Sequence, residues 1–155
     1  MTTKEKVELA IKNGKLKELL LGQNPYQVKF DKFVGPVAPT DWTCVMPYVY
    51  EITKPSDLEK ALLNLSKSNN SIELYTAVSV LYYYLNQKPT SFPVDTDQIL
   101  RNLQNNLPLV KQDLINTKKW AGAQEKLGLY SEVLRYNRLM QDKYNLSLFN
   151  MKKEN

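Results

Sequence analysis

Histidine is absent from this chain, and that absence decides most of what its side chains can do. A Ser-His-Asp or Cys-His nucleophile needs imidazole to take its proton near neutrality. Zinc sites built on imidazole go with it, and the single cysteine, Cys44, is no substitute. Cys44 stands between Thr43 and Val45 without a neighbouring base in sequence, which reads as a buried, inert thiol. Chemistry without histidine is left to carboxylate pairs or lysine.

The carboxylates are scattered. Glu59 and Glu73 have capping-box spacing from Ser56 and Asn70, and Asp57 suits a helix N-terminus. Asp95 and Asp97 lie two apart just ahead of a helical pattern, where capping explains them better than metal or acid–base chemistry. Asp31, Asp41 and Glu51 come from a proline-rich region and converge only if it folds back. No stretch supplies the closely spaced oxygen ligands of a hard-cation loop. The glycines, Gly14, Gly22, Gly35, Gly122 and Gly128, form neither G-x-G-x-x-G nor G-x-x-x-x-G-K-[ST]. The expectation is a protein that is not an enzyme and holds no cofactor and no metal.

What remains is contact chemistry. The chain has 10 tyrosines, and Tyr82, Tyr83 and Tyr84 are consecutive. Three successive residues cover most of a helix circumference, so one of them, Tyr83 for preference, faces outward or into a groove. Tyr82 and Tyr84 read as packing residues. Tyrosine offers a large contact area with a polar tip, which favours protein interfaces. Trp42, Tyr48 and Tyr50 form a second aromatic group in an irregular region, the kind of segment that often carries binding. Net charge is +5, and residues 108–155 hold nine basic against five acidic side chains. Arg135 and Arg138 share one helical face there with Asp142, which neutralises part of it. These six residues, Trp42, Tyr48, Tyr50, Tyr83, Arg135 and Arg138, are the partner-binding candidates. The same basic third, with Lys111, Lys118, Lys119, Lys126 and Lys143, opens the alternative of a nucleic-acid-associated helical protein. Its basic clusters never exceed two consecutive residues, so nucleic acid is the weaker expectation.

The elements that must position these residues are mainly α. At 155 residues, 43% apolar and 24% charged, the chain has the size and balance of one globular domain. Its start, Met1–Leu9, is charged and has no apolar signal core; with one cysteine and no spanning stretch, the expected setting is cytoplasmic. Residues 1–22 read as a helix pair broken at Asn13-Gly14, with Val7, Ala10 and Ile11 on one stripe and Leu16, Leu19 and Leu20 on the next. Residues 23–55 form a proline-rich insertion with Pro25, Pro36, Pro39, Pro47 and Pro55. There, Tyr26–Phe30 alternates like a strand, and Trp42–Ile52 reads as a β-prone edge segment interrupted by Pro47. Together they make either a small β-hairpin or an ordered loop.

Residues 56–145 are the expected helical core. Leu58, Ala61, Leu62 and Leu65 give one stripe, and Ile72–Leu85 is apolar nearly all round, as the central helix of a bundle requires. Ile99, Leu100, Leu103 and Leu107 line the next helix, and Pro108 opens another lined by Val110, Leu114 and Ile115 and ended near Gly122. The last runs from about Leu129 to Tyr144 with Val133, Tyr136 and Met140 inward, broadened by Leu134 and Leu139. Residues 146–155 read as a tail. The expected architecture is an irregular antiparallel helical bundle or a short stack of helical hairpins.

Two runs, SIELYTAVSVLYYYLNQKP (71–89) and KKWAGAQEKLGLYSEVLRYN (118–137), resemble in overall character the small helical immunity proteins of bacterial polymorphic-toxin and contact-dependent growth-inhibition systems. The likeness extends over residues 56–145. It implies a compact, cytoplasmic, non-catalytic protein that neutralises a cognate toxin by covering its active site. Immunity proteins against basic nucleases are often acidic, whereas this chain is basic, so the resemblance implies a toxin that is not basic or a local acidic patch. The expected function is that of a protein-binding module.

Overall fold

A computed structural model describes residues 2–22, 41–87, 95–116 and 129–149, with the backbone alone at Thr3, 41–46 and Gln87. Its helices are α1 (Thr3–Lys12), α2 (Leu16–Gly22), α3 (Asp41–Ile52), α4 (Pro55–Ser66), α5 (Ser71–Gln87), α6 (Thr96–Asn106), α7 (Lys111–Asn116) and α8 (Leu129–Tyr144), with a 3-10 turn at Leu107–Val110 leading into α7. Among the described residues there is no strand, so the all-α class holds. No helix there is long and apolar enough to cross a membrane. The chain groups into two compact units that divide within α4, between Ala61 and Leu62.

In the first unit α1 starts on a full capping box. The Thr2 hydroxyl accepts from the Glu5 N–H at 3.1 Å, and the Thr2 N–H donates to Glu5 Oε1 at 2.8 Å. The break foreseen at Asn13-Gly14 is present: Gly14 takes φ +71°, a backbone that favours glycine, and the Lys15 N–H reaches back to the Ala10 carbonyl at 2.8 Å. Val7, Ala10, Leu19 and Leu20 are buried, while Ile11 and Leu16 are only half-buried.

The edge segment expected at Trp42–Ile52 is helical instead, and Pro47 lies inside α3. A proline there removes one i→i−4 hydrogen bond, and Pro47 is exposed. The run that alternates like a strand also carries Val45, Val49 and Ile52 at spacings of four and three, and packing selects that period. Val49 and Thr53 are buried with Glu51 exposed between them, and the Thr53 N–H donates to the Val49 carbonyl at 2.9 Å. The partner strand foreseen at Tyr26–Phe30 lies outside the described residues.

The start of α4 is also corrected. Pro55 is its first residue, where its missing N–H has no acceptor to serve, and the Leu58 N–H donates to the Lys54 carbonyl at 3.2 Å. Ser56 therefore sits in the first turn, not at the cap. Leu58, Leu62 and Leu65 are fully buried and Ala61 is half-buried.

The second unit is arranged around α5, against which α6, the 3-10 turn, α7 and α8 all pack. Asn70 caps it by accepting the Glu73 N–H at 3.0 Å. Its residues from Leu74 to Leu81 are buried without interruption. Two of these are polar and are satisfied within the helix: the Thr76 hydroxyl donates to the Ile72 carbonyl at 2.8 Å, and that of Ser79 to the Tyr75 carbonyl at 3.1 Å. Asp95 caps α6 by accepting the Gln98 N–H at 3.1 Å. Asn102 of α6 is buried and donates to the Ser66 hydroxyl at 3.1 Å, while Asn106 donates to the Ser66 carbonyl at 2.8 Å. These bonds fasten α6 to the end of α4, and the second satisfies the Ser66 carbonyl that α4 leaves free.

Pro108 lies in a first turn as foreseen, although that turn is 3-10, begins at Leu107 and precedes α7, and Val110 and Leu114 are buried. Ile115 is exposed instead: α7 presents its stripe through Leu114, and its neighbour turns outward. Leu134 is likewise exposed on α8, for its position falls outside the stripe of Leu129, Val133 and Met140. Beyond α8 the chain turns back. Asn145 adopts φ 57° and the Leu146 N–H reaches the Met140 carbonyl at 3.2 Å, a left-handed helix stop. Leu148, from the segment read as tail, is fully buried. Its N–H donates to Asn137 Oδ1 at 2.7 Å, and the Ser147 carbonyl accepts from Gln104 at 2.9 Å.

Candidate protein-binding face

The second unit gathers tyrosines and cations along the seam between α5 and α8. Tyr75 and Tyr82 lie seven apart on α5 and so share a face. Tyr136 of α8 stands between them, with ring centroids 6.1 Å from Tyr75 and 5.2 Å from Tyr82. Further along, the Tyr144 hydroxyl donates to Asn86 Oδ1 at 2.6 Å. The pairs advance together along both helices, so α5 and α8 run in the same sense.

Cations border this row. The Arg135 guanidinium lies 4.8 Å from the Tyr136 ring centroid, and the Lys143 ammonium 5.8 Å from that of Tyr82. Both fall within reach of the negative ring face. A third pair, Lys111 over Tyr130 at 5.3 Å, joins α7 to the start of α8, and Tyr130 in turn packs edge-on against Phe149 at 6.4 Å.

Arg135 has a second partner, for it bonds Glu132 Oε1 at 3.0 Å. Partial burial works against its charge, but the hydrogen bond and the charge of Glu132 outweigh this and raise its pKa. Arg138 and Asp142 are exposed on the same side of α8. The neutralisation expected between that acid and the arginines is not made: neither Arg138 nor Asp142 forms an ion pair or hydrogen bond among the described residues. Lys143 likewise has no carboxylate partner among them.

The six candidates therefore separate. Arg135, Arg138 and the half-buried Tyr83 belong to the second unit, on α8 and α5. Tyr48 and Tyr50 are half-buried on α3 of the first unit, and the side chain of Trp42 lies outside the described residues. Tyr82, Tyr130 and Tyr136 complete the cation–tyrosine row, although sequence reasoning gave Tyr82 and Tyr136 to packing. The signal that could have found the α5 pair is the seven-residue interval from Tyr75 to Tyr82.

Asp95 is a cap, Asp97 sits exposed in the first turn of α6, and Glu51 pairs with Lys4 at 2.8 Å. Asp31 and the side chain of Asp41 lie outside the description. No three His, Cys, Asp or Glu side chains are grouped to hold a metal ion among the described residues. Comparison with protein-family models, with curated proteins and with solved structures gives no match.

Proposed function

We propose that this chain acts without catalysis, as a module that binds another protein stoichiometrically through the α5–α8 side of its second unit. The observation that supports this reading is the row of Tyr82, Tyr136, Arg135 and Lys143, with Arg138 exposed beside it. Tyrosine and arginine are the residue types on which interface energy concentrates. Here the rings are already ordered by packing and the cations by the rings, which lowers the entropy lost on docking. A standard interface would bury about 800 Å² on each side.

The most specific form of the proposal is an immunity protein that neutralises a cognate bacterial toxin by covering its active site. The resemblance of residues 56–145 to such proteins supports it, and the cytoplasm is the matching location. The test is growth rescue. Expression of the neighbouring gene's product should arrest cells, and co-expression of this chain should restore their growth. Arrest that persists at equal expression of both proteins counts against the immunity role.

A further inference from the structure

Two cations on α8, Arg135 and Lys143, lie against tyrosine rings. In the first unit Lys4 is neutralised by Glu51 at 2.8 Å. On α8 Glu132 bonds Arg135 and is itself mostly buried, at 13% side-chain exposure, while Asp142 is exposed four residues from Arg138 and next to Lys143. Arg138 extends into solvent one turn from Arg135, and Lys143 rests over Tyr82. A ring beneath an ammonium restricts its motion without cancelling its charge. Arg138 and Lys143 thereby stay exposed with no ion pair among the described residues, flanking Arg135 on either side of the helix, and the three span about 12 Å along α8 at 1.5 Å per residue.

We propose that this part of α8 docks an acidic protein segment, whose carboxylates pair with Arg138, Lys143 and the outward N–H groups of Arg135. The inference rests on the protein-binding reading and adds the chemistry of the partner. Discrete carboxylates suit the face better than a polyphosphate chain does. Exposed Asp142 interrupts the row and would repel a continuous run of phosphates, whereas a polypeptide can set an N–H or hydroxyl donor against it. The tyrosines favour the same choice. Tyr82 and Tyr136 are half-buried and tilted 54° against each other, which leaves neither ring as an open platform for stacked bases.

The test uses the whole chain and labelled poly-L-glutamate of about 20 residues, comparable to one side of an interface, with oligothymidylate of equal length as the other arm. Fluorescence anisotropy measures affinity, amide shifts locate the contact, and circular dichroism checks the fold of each variant. The glutamate polymer should bind with a steep salt dependence and shift amides in 135–143. The Arg138→Gln/Lys143→Gln double variant should weaken it by about tenfold or more, since two charge-assisted bonds are lost. Lys12→Gln/Lys15→Gln removes the same charge from exposed lysines of the first unit, outside the proposed contact, and should leave the affinity within about twofold.

Equal losses in the two double variants would reduce the effect to diffuse net charge and overturn the proposal. Absence of glutamate binding overturns it too, as does tighter, equally α8-dependent binding of oligothymidylate. A native protein complex that survives Arg138→Gln/Lys143→Gln rejects the acidic partner but leaves the docking reading intact. Failure to form any stoichiometric complex rejects the docking reading itself.

Discussion

Helices α5 and α8 lie side by side in the second unit and handle polar groups in opposite ways. Those of α5 are turned back on the helix: Thr76 and Ser79 are buried and bond carbonyls of their own preceding turn. On α8 one stripe, Leu129, Val133 and Met140, is buried, and Arg135, Arg138, Asp142 and Lys143 stand exposed outside it. The contrast separates a helix that holds the unit together from one that is free to present chemistry. Stability should be sensitive along α5 and binding along α8.

The sharpest way to break that contrast is a cavity in α5. Leu81→Ala removes a fully buried side chain and should cost about 2–5 kcal/mol in denaturant unfolding. Leu134→Ala on α8 should stay within about 0.5 kcal/mol, because that side chain is already exposed. Comparable losses from both would erase the distinction between the helices.

Next in size is the polar fastening of α6. Asn102→Ala leaves the buried Ser66 hydroxyl without its donor and should destabilise by about 1–3 kcal/mol. Asn137→Ala withdraws the acceptor from the Leu148 N–H and should cost about 1 kcal/mol, with faster hydrogen exchange confined to the returning segment. Unchanged exchange at Leu148 would show that its burial alone holds the segment. Arg138→Gln, on the presenting side, should shift stability by less than about 0.5 kcal/mol.

The smallest effect concerns pH. The Thr2 backbone N–H, and then the Thr2 hydroxyl, hold the Glu5 carboxyl below the usual carboxylate range. A depressed folded pKa contributes stability that is present above the unfolded value and lost as pH falls through the folded one. Acid should therefore fray the start of α1 first, and Glu5→Gln should flatten that dependence in amide exchange across Lys4–Val7.

How much of this was legible depended on whether a segment had one admissible period. Ile72–Leu85 is apolar nearly all round, with cap spacing at Asn70 and Glu73, and it folds as read. Leu129–Tyr144 was placed to the residue. Trp42–Ile52 satisfies both a two-residue and a three-to-four-residue repeat, and Pro47 tipped the sequence reading toward an edge strand. Tertiary burial of Val49 and Thr53 selects the helix. Pro55 likewise displaced the cap foreseen at Ser56, since proline at a first helical position is as strong a start as a hydroxyl.

The candidate face was less legible because it depends on which helices are neighbours. Arg135 and Arg138 could be placed together from their spacing alone. That Tyr136 would stand between Tyr75 and Tyr82, or that Lys143 would rest over Tyr82, requires α5 and α8 to run in the same sense, and no local pattern encodes that. The returning segment escaped for the same reason: Leu148 is one apolar residue among polar ones, and its burial follows from the left-handed stop at Asn145.

The central claim, action by docking, is tested most directly by light scattering on this chain mixed with the product of its neighbouring gene. A single species with the summed mass of one copy of each is expected, and it should be lost when Arg135, Arg138 and Lys143 are all replaced by glutamine. Two separate species at their individual masses, at micromolar concentration and low salt, would contradict it.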